Sequence, residues 1–342
     1  MSRGKASRRL LVALCALMLF SGLTSCERFL VGSDAADDPM AVYEFLWEDL
    51  RDRYAYFELK GIDWDEVGEE YRERIHPDMS EVELFDTLAD LLFELEDGHV
   101  NLTSSFNRSR NWDFFQDYPL DYNQGIIDRN YLGRDFWITG PVRSQIIDSV
   151  LYVNYRTFME GITSSHVDAL MWRADGLDGV IIDVRSNGGG SLDNARRLAA
   201  AFTDEGYVYG QVRIKDGPCA DCFSSWTDLT VPTRTGPRFM GPVVVLTDRA
   251  SYSTTTYFAE MMRLNPRATL VGSQTGGGGG TPAYGELPNG WTYRFSATQA
   301  VNVDGEHLEV GVPVDEEVHL DPEDEQDGVD TIIEYALGLF ED

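Results

Sequence analysis

Residues 180–184, Val-Ile-Ile-Asp-Val, form a short apolar run that passes through Arg-Ser-Asn into three consecutive glycines at 188–190. β-Branched residues in such a run fit a strand covered on both faces, and so a sheet with helices on either side. Glycines, lacking Cβ, let backbone N–H groups approach a ligand closely. A second segment repeats the design: a strand opening at Val243, a polar turn, then Ser251-Tyr-Ser253-Thr254 opening a helix. A serine at a helix N-terminus facing a glycine-rich turn can serve as a nucleophile beside an oxyanion hole. Hydroxyl residues there also serve simply as helix caps.

Strand and helix alternate along the chain. Strands are expected at 136–139, 150–155, 180–184 and 269–271, and helices at 161–173, 191–202, 254–264 and 329–340. This order favours an α/β core. Residues 40–96 instead read as helical. Ser80-Glu-Val-Glu83 is a capping box, and Val82, Phe85, Leu88, Leu92 and Leu95 recur at helical spacing as one apolar stripe that Gly98 would stop. Pro288-Asn-Gly290 reads as a hairpin turn. The expected organisation is a signal peptide over 1–25, a tether over 26–39, a helical subdomain over 40–100 and an α/β core over 101–342.

Arg3, Lys5, Arg8 and Arg9 precede an apolar run over 10–20 that is too short to span a bilayer comfortably. Leu23-Thr-Ser-Cys26 resembles a bacterial lipobox, with Cys26 as the lipid-bearing residue. Export is the expectation, with a membrane anchored rather than spanned. The whole chain carries a formal net charge of −30. Such acidity argues against a nucleic-acid surface. Beyond Cys15 and Cys26, Cys219 and Cys222 form one Cys-x-x-Cys pair, which in an oxidising compartment reads as a loop-stapling disulfide. The pair also has the spacing of a redox centre or of half a metal site, but no second pair exists and the five histidines show no ligand spacing, so no metal or organic cofactor is implied.

A serine nucleophile needs a base within hydrogen-bonding reach. Lysine occurs only at 5, 60 and 215. His99, after Glu96-Asp-Gly98 at the expected helix end, is the histidine that stands out, since a helix C-terminus favours an imidazolium.

Leu95-Glu-Asp-Gly-His-Val-Asn-Leu102, Asp183-Val-Arg-Ser-Asn-Gly-Gly-Gly190 and Thr247-Asp-Arg-Ala-Ser-Tyr-Ser253 stand in the order found in the family uniting C-terminal processing peptidases with tricorn proteases. Ser273-Gln-Thr-Gly-Gly277, Leu287-Pro-Asn-Gly290 and Glu309-Val-Gly-Val-Pro-Val-Asp315 continue the resemblance, which covers most of the chain after Cys26. It implies a ClpP/crotonase-like α/β core and serine endopeptidase chemistry on peptides or unfolded proteins. Ser253 would be the nucleophile, with Ser251 as runner-up. Thr254 with Gly188 or Gly189 would form the oxyanion hole. Processing peptidases carry a base lysine where this chain has Gly278, so the tricorn-like arrangement fits better, with His99 as base and Glu309 orienting it.

The chain also departs from that pattern. Gly98 stands where tricorn has a serine before its histidine, and Thr256 replaces an acid often found three residues after the nucleophile. The interval 103–148, about 46 residues, is too short for the PDZ module of many processing peptidases. Because the same family includes retinoid-binding repeats, the alternative is a binding module for peptides or apolar small molecules that has lost the chemistry.

Overall fold

The computed structural model describes residues 35–341. Cys26, the signal segment and most of the expected tether lie outside the described residues. A seven-stranded mixed sheet forms the centre, with spatial order Glu316–Glu317, Ala268–Gly272, Val243–Thr247, Gly179–Asp183, Val150–Asn154, Val142–Ile147 and Trp137–Thr139. The five strands from Glu316–Glu317 to Val150–Asn154 pair in parallel, and the last two close the edge as antiparallel hairpins.

Both faces of this sheet are covered. Val180, Ile182, Val243 and Val245 point into a core with helices Ser164–Ala174, Leu192–Ala199 and Thr254–Arg263, while Tyr152, Ile181, Val244 and Leu246 pack against Ile332, Ile333 and Ala336 of helix Thr331–Gly338. Apolar residues at adjacent positions of a strand therefore serve opposite faces, which is why the 180–184 run shows no alternation with polar residues.

The helical N-terminal part, with helices Pro39–Arg53, Trp64–Arg72 and Glu81–Phe93, builds its own core around Val42, Leu46, Leu50, Leu88 and Leu92. That core continues into Tyr293 and Phe295 of strand Thr292–Ser296. This strand pairs with Pro282–Glu286 and with Asn101–Thr103 in a small antiparallel sheet, the first pairing closed by the turn at Pro288-Asn-Gly290. The N-terminal helices and this small sheet thus share one core.

Two helical details differ from expectation. The capping box at Ser80 and Glu83 is present, but Val82 is 55% exposed. Val82 lies in the first turn, and the buried face runs instead through Leu84, Phe85, Leu88, Leu91 and Leu92. The helix also ends at Phe93, well before Gly98. Cys219 and Cys222 are joined by a disulfide whose Cα atoms are 5.1 Å apart.

Candidate active site

Ser253 stands at the N-cap position of helix Thr254–Arg263 without a side-chain capping bond, with φ 57° and ψ −121°, a backbone conformation that is strained for any residue but glycine. The strand Val243–Thr247 delivers the chain into the turn, and the Ser253 N–H donates to the Gly277 carbonyl at 2.8 Å. Gly277 itself has φ +87°, and a Cβ there would sit 1.9 Å from the Glu309 carbonyl oxygen. The glycine run therefore lets two backbone segments close around the serine. Thr256, on the next turn, hydrogen-bonds the Gly277 carbonyl at 2.7 Å and tethers the same loop.

His99 Nε2 lies 2.9 Å from Ser253 Oγ. Sequence spacing placed His99 at a helix end, where an imidazolium would be favoured. The structure corrects this: His99 stands six residues past Phe93, is 3% exposed, and its burial holds the imidazole pKa down at about 4. Asp97 pulls that pKa up and Arg294 and Lys60 push it down, but burial dominates. The loop is fixed by an Asp97 carboxylate that accepts the His99 N–H at 2.8 Å and by Arg294 Nε, which donates to the His99 carbonyl at 2.7 Å.

On the other side of the ring, His99 Nδ1 faces Ser296 Oγ at 3.4 Å. That hydroxyl also helps to hold the Asp97 carboxyl below its ordinary range. Glu309 makes no such contact. Its Oε1 pairs with Lys60 Nζ at 3.1 Å, and Oε2 has no hydrogen-bond partner among the described residues. The expectation that Glu309 orients His99 directly is therefore corrected. Its segment meets the glycine loop through its backbone, which turns the carboxylate toward the end of helix Phe57–Lys60.

Lys60, Asp97 and Glu309 form one buried electrostatic group. Burial opposes the Lys60 charge, yet the two carboxylates outweigh it and the pKa rises. Burial also opposes ionisation of Asp97, but Lys60 and His99 lead the groups that keep its pKa low. Glu309 moves the other way, raised by burial and by the neighbouring Asp97 charge. One ammonium thus stands between two acids, and Asp97 is the one that keeps its charge. Neither Ser296 nor Lys60 announced itself in the sequence; Ser296 sits in an ordinary strand, and Lys60 is some 40 residues before His99.

The expected oxyanion donors separate into two kinds. The Gly189 N–H is taken by the Asn187 side chain at 2.9 Å, a correction to its expected role. A Cβ on Gly189 would also strike the Tyr252 carbonyl and the Thr254 nitrogen, so it is a packing glycine. The N–H groups of Gly188 and Thr254 have no acceptor among the described residues, and both residues line the cavity at Ser253. Ser251, by contrast, is fully buried and hydrogen-bonds the Val184 carbonyl and Asp248 at 2.9 Å each. Arg185 is likewise structural, paired with Asp183 and Asp330 with no exposure.

A cavity of about 750 Å³ opens over Ser253 and His99. Trp112, Phe114, Tyr252 and Tyr284 form its aromatic walls, and Arg294 is its one guanidinium.

The family model described as peptidase family S41 matches residues 149–318, and that of the tricorn protease C1 domain matches residues 35–93. A structure from Parabacteroides merdae ATCC 43184, provisionally assigned as a peptidase, is 39% identical, with a TM-score of 0.86 over 89% of this chain and 97% of that one. This chain belongs to peptidase family S41. The fold recurs at lower identity in mature CPAF, 13% identical with a TM-score of 0.68 over 90% of this chain and 97% of that one. It recurs again in the tricorn protease, 16% identical with a TM-score of 0.56 over 90% of this chain and 37% of that one. Among curated proteins, a Staphylococcus haemolyticus protein named as a CtpA-like serine protease is 25% identical over 134 residues. That match takes in 39% of this S41 chain and about a quarter (26%) of the relative.

Proposed function

We propose that this S41 member is a serine endopeptidase of the tricorn-like kind, acting on peptides or unfolded proteins. The observation that carries the reading is the 2.9 Å contact between His99 Nε2 and a Ser253 Oγ held on a strained turn at a helix N-terminus. Burial keeps His99 neutral at ordinary pH, the state in which Nε2 can accept the serine proton. As Ser253 attacks the carbonyl carbon, that proton passes to His99 and the imidazolium gains support from the nearby Asp97 charge, with Ser296 holding Nδ1. The carbonyl oxygen becomes an oxyanion received by the Gly188 and Thr254 N–H groups. His99 then returns the proton to the leaving amine, and water repeats the sequence on the acyl-enzyme.

In this reading Glu309 and Lys60 hold the electrostatic balance behind the base rather than touching it. The membrane location belongs to the same proposal: the basic and apolar N-terminal segment and Leu23-Thr-Ser-Cys26 favour an exported bacterial lipoprotein anchored through Cys26. Labelled palmitate incorporated by the wild type and lost in Cys26→Ala would support the anchor. For the chemistry, hydrolysis of an unfolded protein such as casein is expected from the wild type and is expected to vanish in Ser253→Ala and in His99→Ala. Hydrolysis that survives Ser253→Ala would overturn the assignment.

A further inference from the structure

Beside the catalytic cavity lies a smaller one of about 300 Å³, lined by Gly98, Asn101, Ser109 and three arginines, Arg108, Arg110 and Arg294. Arg294 lines both cavities and so stands at their junction. In a chain with 58 acidic residues against 28 basic ones, three arginines line one cavity that holds no acid, while Glu96, Asp113 and Asp117 line the adjoining cavity that shares Gly98 and Asn111 with it. No carboxylate lines either of the two cavities that meet at Arg294, and among the described residues none of the three guanidinium groups forms an ion pair. The Arg294 Nε is committed to the His99 carbonyl, but its two terminal nitrogens have no acceptor among the described residues. Arg110 is exposed, with its guanidinium carbon 4.8 Å from the centre of the Trp112 ring.

We propose that these arginines bind a carboxylate of the peptide substrate, with Arg294 as the contact nearest the scissile bond and Arg108 and Arg110 drawing the anion in. The inference rests on the peptidase reading of the same cleft. Guanidinium groups match carboxylates in paired hydrogen bonds, and a fork fixed by a backbone contact is already oriented to do so. Surrounding negative charge disfavours anionic substrates elsewhere on the surface, so the basic pocket would also set where an acidic segment docks. The carboxylate has two possible sources, the C-terminus of the peptide or an Asp or Glu side chain. Occupation carries a consequence for the base. Arg294 is among the groups that push the His99 pKa down, and a bound carboxylate would screen that charge and make His99 more basic while substrate is in place.

The test measures binding of fluorescent peptides to the Ser253→Ala protein, so that it does not depend on turnover. One sequence is made with a free C-terminus, with a C-terminal amide, and as amides carrying an internal Asp or the matching Asn. Expected is at least 10-fold tighter binding of one carboxylate form over its neutral counterpart, reduced to within about twofold by Arg294→Gln and weakened by Arg108→Gln with Arg110→Gln. A preference for the free C-terminus identifies the tail as the source; a preference for Asp over Asn identifies the side chain. Equal binding of charged and neutral forms, absence of peptide binding, or a preference that survives Arg294→Gln would overturn the proposal. Covalent labelling of Ser253 in the wild type reads the peptidase assignment separately.

Discussion

Lys60 Nζ and Glu309 Oε1 lie 3.1 Å apart in a largely buried pair, so the carboxylate that resemblance assigned to His99 is held by the end of a short N-terminal helix instead. Removing one member of a buried pair leaves the other without compensation. Lys60→Met is expected to destabilise the protein by roughly 3 kcal/mol at pH 8 in urea unfolding. The share of this cost that falls on Glu309 should shrink toward pH 5, while the share that falls on Asp97, which keeps its charge, should remain. Glu309 has a raised pKa when folded, so the folded state binds more protons than the unfolded one, and stability is lost as pH rises above the ordinary carboxylate range. Lys60→Met combined with Glu309→Gln should recover much of the loss; a double variant as unstable as the single one would contradict this pairing.

Ser296 is the side chain that meets His99 Nδ1, and the weight of the orienting role should follow it. Ser296→Ala is expected to slow peptide hydrolysis roughly 10- to 100-fold, the scale of losing one hydrogen bond to a charged group. The loss should appear in kcat more than in KM. Glu309→Gln should cost less than Ser296→Ala. The reverse order would return the orienting role to Glu309.

Gly98 stands where the resemblance expects a hydroxyl, and the structure gives the reason. A Cβ at Gly98 would come within 2.5 Å of the Phe114 ring and 2.9 Å of Tyr252. Those two rings stack at a centroid distance of 4.0 Å and wall the cavity, so the space belongs to them. Gly98→Ser is therefore expected to lower stability by about 1–3 kcal/mol through overpacking and to reduce activity rather than restore a missing contact. Raised kcat in this variant would show that the serine was wanted after all.

The central strands, the strand–helix order and the polar turn that opens the helix at Ser253 were legible because buried β-branched runs and glycine turns have local causes. His99 and Ser253 were named from ordered motifs, yet 154 residues separate them, and only the fold shows that they touch. What the sequence hid was relational. Ser296 looks like any strand residue, and its hydroxyl gains a role only because strand Thr292–Ser296 passes beside the His99 loop. Strand Thr227–Val231 was also missed, since its Thr-Asp-Leu-Thr-Val sequence is partly exposed and owes its conformation to pairing with Tyr207–Ile214. The helix-end argument for His99 failed because five intervening residues carry the ring away from the helix and into the core.

The pH dependence follows from that burial. Because His99 titrates near 4, the free enzyme should keep its neutral base, and its kcat/KM, down to about pH 4 before an acid limb appears. Stability carries the same signature. The unfolded histidine binds a proton near its ordinary pKa of about 6.5 while the folded one does not, so this contribution falls as pH drops from about 6.5 toward 4. An acid limb of kcat/KM near 6.5 would mean that His99 is not the base or is not buried in solution.

The central claim is that Ser253 is a nucleophile activated by His99. A fluorophosphonate probe added to the folded protein, followed by mass spectrometry of the modified peptide, tests it most directly. Modification at Ser253, lost in Ser253→Ala, strongly slowed in His99→Ala and retained in Ser251→Ala, is the expected result. A folded wild type that stays unlabelled from pH 5 to pH 9, or that is labelled at Ser251, would contradict it.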